Sequence, residues 1–118
     1  MPPPVDLPRL AEFSDGTAAG LRTLIEIFLQ DAAETAAELH AAVESARHAE
    51  VELLAHRAGG ASGACGAGRL AELLRQLEEL ARGGSTDGAT LLMRDVASEL
   101  GRVRVYLQGH LDGLEPKT

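Results

Sequence analysis

AEVELLAHRAGGASGACGAGRL, residues 49–70, sets a histidine in a run of residues with almost no side chain. Its small or apolar positions recur at Val51, Leu54, Ala55, Ala58, Ala61, Ser62 and Cys65, the i, i+3, i+4, i+7 spacing of a helix with one buried stripe. With about 100° of rotation per residue and His56 placed at the origin, those positions fall in an arc of roughly 140° to 260°. His56 therefore points away from the core. Glu52, one turn before it, and Gly59, Gly60 and Gly63, one and two turns after it, share the outward face.

Glycine inside a helix costs about 1 kcal/mol relative to alanine, so three cost about 3 kcal/mol, against a total stability of roughly 5 to 15 kcal/mol. Three readings account for such a concession. GGASGACGAG can be a flexible loop after a helix ending at Arg57, or a smooth face on which another helix packs closely. It can also be a surface kept bare so that a partner protein can bring a bulky group up to the histidine. The apolar register continues through Ala61 and Cys65, which argues against the loop. Glu52 argues against the packing face, where its charge would be buried without a partner. Both points favour the bare docking surface over the other two readings.

A chain of 118 residues is one domain with a core of its own. Leucine and alanine dominate, aromatic residues make up 3%, and β-branched runs suited to strands are absent, so the class is all-α. A net charge of -7 without a basic face argues against nucleic acid. The single cysteine, Cys65, has no disulfide partner and lies in the expected buried stripe, which suits a reducing cytoplasm. Neither a signal peptide nor an apolar run of about 18 residues is present. The expectation is a cytoplasmic protein without a membrane partner.

Along the chain, the proline-rich residues 1–4 are expected to be frayed. Asp6 can cap a short helix from Leu7 to Phe13, with Pro8 in its first turn, that lids one end of a bundle with Leu7, Leu10 and Phe13. Ser14 to Thr17 reads as a turn and cap before a helix from about Ala18 to Ala46. Its stripe runs from Leu21 through Phe28, Leu29, Ala32, Ala36, Leu39 and Val43 to Ala46. Gly66 and Gly68 allow a tight turn after the histidine helix. The next helix spans about Arg69 to Arg82, with Leu70, Leu73, Leu74, Leu77, Leu80 and Ala81 inward, and Gly83-Gly84 ends it. Ser85 to Asp87 offers a cap for a last helix to about Gly113, with Leu91, Leu92, Val96, Leu100, Val103, Leu107 and Leu111 inward. Four long amphipathic helices on short connections favour an antiparallel up-down-up-down four-helix bundle with a short N-terminal capping helix. Its ordered core would span about residues 6–113, between tails at 1–4 and 115–118.

The chemistry open to His56 is narrow. Acyl transfer needs a serine or cysteine nucleophile beside a base, yet Ser62 and Cys65 are expected to face the core. A metal site needs a second ligand at i+3 or i+4, and those positions are glycines. His40, His48 and His110 lack ligand spacing and read as surface residues. An exposed imidazole can still accept a phosphoryl group, being a good nucleophile near neutral pH. Such a module needs no nucleotide site, and the chain has neither a P-loop nor a kinase-type glycine loop. It would be a carrier rather than an enzyme.

These residues resemble a known signature. In AHRAGGASGACGAGRL, residues 55–70, His56, Gly60, Gly66 and Ala67 match the histidine phosphotransfer (HPt) family pattern: a histidine, a basic residue at +3, a glycine at +4 and a Gly-Ala pair ten residues on. IFLQDAAETAAELHAAVESA before it and LAELLRQLEELA after it, including Leu77-Glu78, resemble the family's flanking helices, so the likeness runs from about Asp6 to Leu111. The resemblance implies a four-helix bundle with the acceptor histidine exposed on one helix. This sequence has Gly59 where the family has lysine or arginine. The missing cation bears on the speed of transfer and the lifetime of phosphohistidine, and only the long side chain of Arg57 could lean across to replace it.

The resemblance implies a stand-alone phosphorelay protein in which His56 takes a phosphoryl group from the phospho-aspartate of one receiver domain and gives it to another. Its partners would be receiver domains of response regulators or hybrid histidine kinases. No cofactor is expected on this chain, which is expected to be a monomer; Mg²⁺ would sit on the receiver. Docking is expected to use Glu52, Leu53, Arg57, Gly59, Gly60 and Gly63. The alternative is a phosphorylation-independent module that sequesters a receiver or pairs with another bundle.

Overall fold

The computed structural model describes residues 2–85 and 87–114, so Met1, Thr86 and the expected tail at 115–118 lie outside the described residues. Five helices follow in order: α1 (Leu7–Ala11), α2 (Ala18–Glu44), α3 (His48–Ala64), α4 (Gly68–Arg82) and α5 (Ala89–Leu114). Among the described residues there is no strand. Helices α2 to α5 pack as consecutive neighbours, and α5 returns to α2, which closes an up-down-up-down ring. The molecule measures 52 × 24 × 22 Å. No helix among the described residues is long and apolar enough to cross a membrane.

Each helix end has a local cause. Thr17 caps α2 by accepting the Gly20 amide at 2.9 Å, and the Asp15 carboxylate accepts the Thr17 amide and hydroxyl at 2.9 and 2.6 Å. Three helices close in the same way, with crossed 6→1 and 5→2 hydrogen bonds around a left-handed residue. The amides of Ala67 and Gly66 reach Ser62 and Gly63 after α3, and those of Ser85 and Gly84 reach Leu80 and Ala81 after α4. After α2 the amides of Arg47 and Ala46 reach Ala42 and Val43, with Ala46 itself at φ 53°. Helix α2 therefore ends two residues earlier than its apolar stripe suggested, and Ala46 is exposed rather than inward. The last helix begins at Ala89, past the expected Ser85–Asp87 cap, with the Leu92 amide bonded to the Gly88 carbonyl.

One contiguous core fills the ring: Ile25, Phe28 and Leu39 from α2, Val51 and Leu54 from α3, Leu70 to Leu77 from α4, and Val96 to Leu111 from α5. Four expectations about burial need correction. Phe13 is exposed because α1 stops at Ala11, so the lid over the α3–α4 turn rests on Leu10, Val5 and half-buried Leu7. Leu91 is exposed because the register of α5 turns Ala89, Met93 and Val96 inward instead. Ala61 is exposed and Cys65 only half-buried, since α3 leans its stripe towards α4. His48 and His110 are half-buried, and among the described residues the Nδ1 of His48 has no hydrogen-bond partner.

The N-terminal strap fixes the turn that follows α3. The Asp6 amide donates to the Gly66 carbonyl at 2.9 Å, and Arg9 Nε donates to the Gly63 carbonyl at 3.1 Å. Gly66 sits at φ +82°, and a Cβ there would come within 2.7 Å of the Asp6 carbonyl oxygen. Only glycine meets both demands.

Candidate functional site

The α3–α4 turn sets an antiparallel register that builds the site. A Cβ at Gly63 would stand 3.7 Å from that of Ala71, and one at Gly59 would stand 3.6 Å from that of Leu74. One turn further along the pair, His56 meets Glu78, and a turn beyond that Glu52 meets Arg82. Two of the three glycines thus face α4 across this register, with room for an added Cβ at ordinary contact distance. This corrects the reading of Gly59 and Gly63 as bare outward positions: both are half-buried beneath α4. The objection to a packing face was an unpartnered Glu52, but its carboxylate accepts Arg82 Nε at 3.0 Å. Gly60 alone of the three has open space around it.

The His56 side chain is 72% exposed, as its helical position requires. Its Nδ1 lies 3.0 Å from Glu78 Oε2, and Glu78, at 13% exposure, is the most enclosed member of the cluster. The same oxygen accepts Arg82 Nη2 at 2.7 Å, so a chain of charges runs from Glu52 through Arg82 and Glu78 to the imidazole. The guanidinium of Arg82 is held above its ordinary pKa, foremost by the hydrogen bond to Glu52 and then by the charges of Glu78 and Glu52. A carboxylate accepts and cannot donate, so in this contact Nδ1 is the donor, which in the neutral ring leaves Nε2 as the nitrogen with a free lone pair.

Glu78 is the residue of the candidate site that sequence reasoning did not assign. It was visible as half of the Leu77-Glu78 pair, but its role depends on the register between two helices. The signal was available once the turn was placed at Gly66–Ala67, because positions on antiparallel helices pair off at a fixed offset from their turn. Of the other expected docking residues, Leu53 and Arg57 are exposed on the open side of α3 with Gly60, whereas Glu52 is turned to α4. Among the described residues no three His, Cys, Asp or Glu side chains form a group that could hold a metal ion.

Comparison with curated proteins finds no match. Among solved structures, the chain is similar to the crystal structure of histidine-containing phosphotransfer protein B (HptB) from Pseudomonas aeruginosa PAO1. The TM-score is 0.87 at 28% identity, covering 95% of this chain and 97% of that one. A family model described as "Hpt domain" matches residues 23–111, a span that includes His56, its partner Glu78, the whole of α3 and α4 and most of α2 and α5. The chain therefore belongs to the Hpt domain family and is a histidine phosphotransfer protein of phosphorelay signalling.

Proposed function

We propose that His56 is the phosphoryl acceptor, and that it reacts through Nε2 with the phospho-aspartate of a receiver domain and then with the aspartate of another. The observation that carries this is the split in the imidazole's surroundings: Nδ1 is engaged by Glu78 at 3.0 Å while the rest of the ring stands in solvent. In the forward step the Nε2 lone pair attacks phosphorus, and the bond from phosphorus to the aspartyl oxygen breaks. The freed carboxylate leaves with the electron pair. The proton on Nδ1 stays in place, so the phosphorylated ring carries a positive charge that the Glu78 carboxylate faces. Transfer onward reverses these events on a second carboxylate.

Glu52 and Arg82 act through Glu78, holding its carboxylate so that the ring keeps one tautomer and one orientation. Positioning supplies much of the rate in such a transfer, and the receiver supplies Mg²⁺ and its acidic pocket. This chain acts as the carrier, without a kinase or nucleotide site of its own. Leu53, Arg57 and Gly60 form the face on which the receiver approaches, while Gly59 and Gly63 lie half-buried against α4 at its edge.

The test is incubation with a panel of ³²P-labelled phospho-receiver domains. Wild-type protein should acquire an acid-labile, base-stable label, and His56→Gln should acquire none while keeping its helicity. Label that persists on the glutamine variant would place the acceptor elsewhere. Receiver binding with no label on wild-type protein would favour a module that sequesters receivers without phosphate.

A further inference from the structure

Beside the α3–α4 turn, the N-terminal strap stands off the bundle. Pro3, Pro4 and Leu7 on one side, with Arg69, Arg102 and Tyr106 on the other, bound an open cleft of about 770 Å³. Sites that take a small ligand fall in the range of about 300 to 1,000 Å³. The strap is anchored, with Val5 and Leu10 in the core and the Asp6 amide on the Gly66 carbonyl, and proline fixes its own φ, so this wall is formed before any ligand arrives. None of His56, Glu78, Leu53, Arg57 and Gly60 lines the cleft.

The two walls differ in chemistry. Prolines have no N–H to offer, so the strap suits an apolar body. The bundle wall is basic. Among the described residues the Arg69 guanidinium has neither an ion pair nor a hydrogen bond, and the Tyr106 hydroxyl has no hydrogen bond. Asp6, the one acid of the lining, is turned to its own helix, where it accepts the Arg9 amide at 3.3 Å. Arg102 Nη1 donates to Glu99 Oε1 at 2.8 Å, and the Glu99 side chain is only 6% exposed. Its Oε2 is buried without a hydrogen-bond partner. A buried carboxylate paired with a partly exposed arginine is weak evidence for stability, since desolvation offsets the attraction. What the pair does achieve is to fix one guanidinium at the cleft wall. Two arginines and a phenol thus line one cleft of a chain whose net charge is -7.

We propose that this cleft binds a small amphipathic organic anion. Its carboxylate, sulfonate or phosphate head lies against Arg69 and Arg102, whose planar forks match such groups, and accepts the Tyr106 hydroxyl. Its apolar body lies under the prolines. Glu99 is a positioning residue that acts through Arg102. Because the cleft and the face around His56 share no lining residue, the anion and a protein partner at His56 can be bound together.

Fluorescence titration with anilinonaphthalene sulfonate, an apolar ring system with one anionic head, tests this. Wild-type protein should bind it with a Kd of about 100 μM or lower, and the uncharged phenylnaphthylamine about tenfold more weakly. Arg69→Ala should raise the Kd for the sulfonate about tenfold with helicity retained, since a charge-assisted contact is lost. Arg102→Ala would strand Glu99, so the second arm is Glu99→Leu/Arg102→Leu, which replaces the buried pair whole and should weaken binding to a similar degree. Amide shifts in ¹H–¹⁵N spectra should gather at Leu7, Gly68 and Tyr106. Equal affinity for the uncharged probe, or an unchanged Kd in Arg69→Ala, would overturn the anion site. Shifts gathered at Ala58 and Ala61 would put the probe between α2 and α3 and equally defeat it. Protein that floats with phosphatidylglycerol vesicles while ignoring the free sulfonate would overturn the small ligand in favour of a lipid surface.

Discussion

At the scale of single residues, the site is one imidazole with unlike surroundings at its two nitrogens. Glu78 holds Nδ1, the nitrogen proposed to stay out of the reaction, and a hydrogen bond to a charged group contributes about 1.5 to 3 kcal/mol. Glu78→Ala should therefore slow transfer to His56 by roughly 10- to 100-fold, read by single-turnover kinetics, with receiver affinity little changed. Glu78→Gln should fall between the two, because an amide oxygen still orients the ring but cannot balance the charge of the phosphorylated form. Gly60, with no heavy atom near its would-be Cβ, invites a second test. Gly60→Leu should stabilise the helix by about 1 kcal/mol in thermal melts and yet impair docking measured by titration. A leucine variant that transfers normally would show that the open face need not be bare. The charge missing at Gly59 can be restored, since a Cβ there meets Leu74 only at ordinary contact distance. Gly59→Lys should lengthen phosphohistidine lifetime, and the gain should shrink as salt is raised.

At the scale of the helices, termini rather than interiors hold the unexpected chemistry. Ala46 takes a left-handed conformation that costs an L-residue about 1 kcal/mol, so Ala46→Gly should raise the unfolding free energy by up to about that amount in denaturant titrations. Gly66→Ala should do the reverse and loosen the strap, because the added methyl would meet the Asp6 carbonyl. Asp15 is held below its ordinary value of 3.8 by the Thr17 hydroxyl and then by the Thr17 amide. A lowered folded-state value means a contribution that is complete above Asp15's ordinary value and lost as pH falls from there through the lowered one. Helical periodicity made the elements and the exposure of His56 legible, because the pattern of Val51, Leu54 and Ala55 against His56 is local. What was not legible came from pairs of helices. Gly59, Gly63 and Glu52 looked outward-facing until α4 supplied Leu74, Ala71 and Arg82 opposite them. Phe13 and Leu91 carry apolar side chains, but an early helix end leaves Phe13 in solvent, and Leu91 lies off the face of α5 that carries Ala89, Met93 and Val96 inward.

At the scale of the molecule, the ring divides its labour unevenly. The α3–α4 pair packs at contact distance and carries the His56–Glu78 contact across it, whereas the α2–α3 seam is more open. Because the acceptor stands on a helix whose other face is core, phosphorylation should leave the helical content unchanged by circular dichroism. The account turns on which nitrogen reacts, and ¹H–¹⁵N NMR of the phosphorylated, histidine-labelled protein reads this directly. A single phosphohistidine at position 56 with phosphorus on Nε2 and a proton on Nδ1 is the result expected. Phosphorus on Nδ1, which would require the Glu78 contact to be broken, or on another histidine, would contradict it.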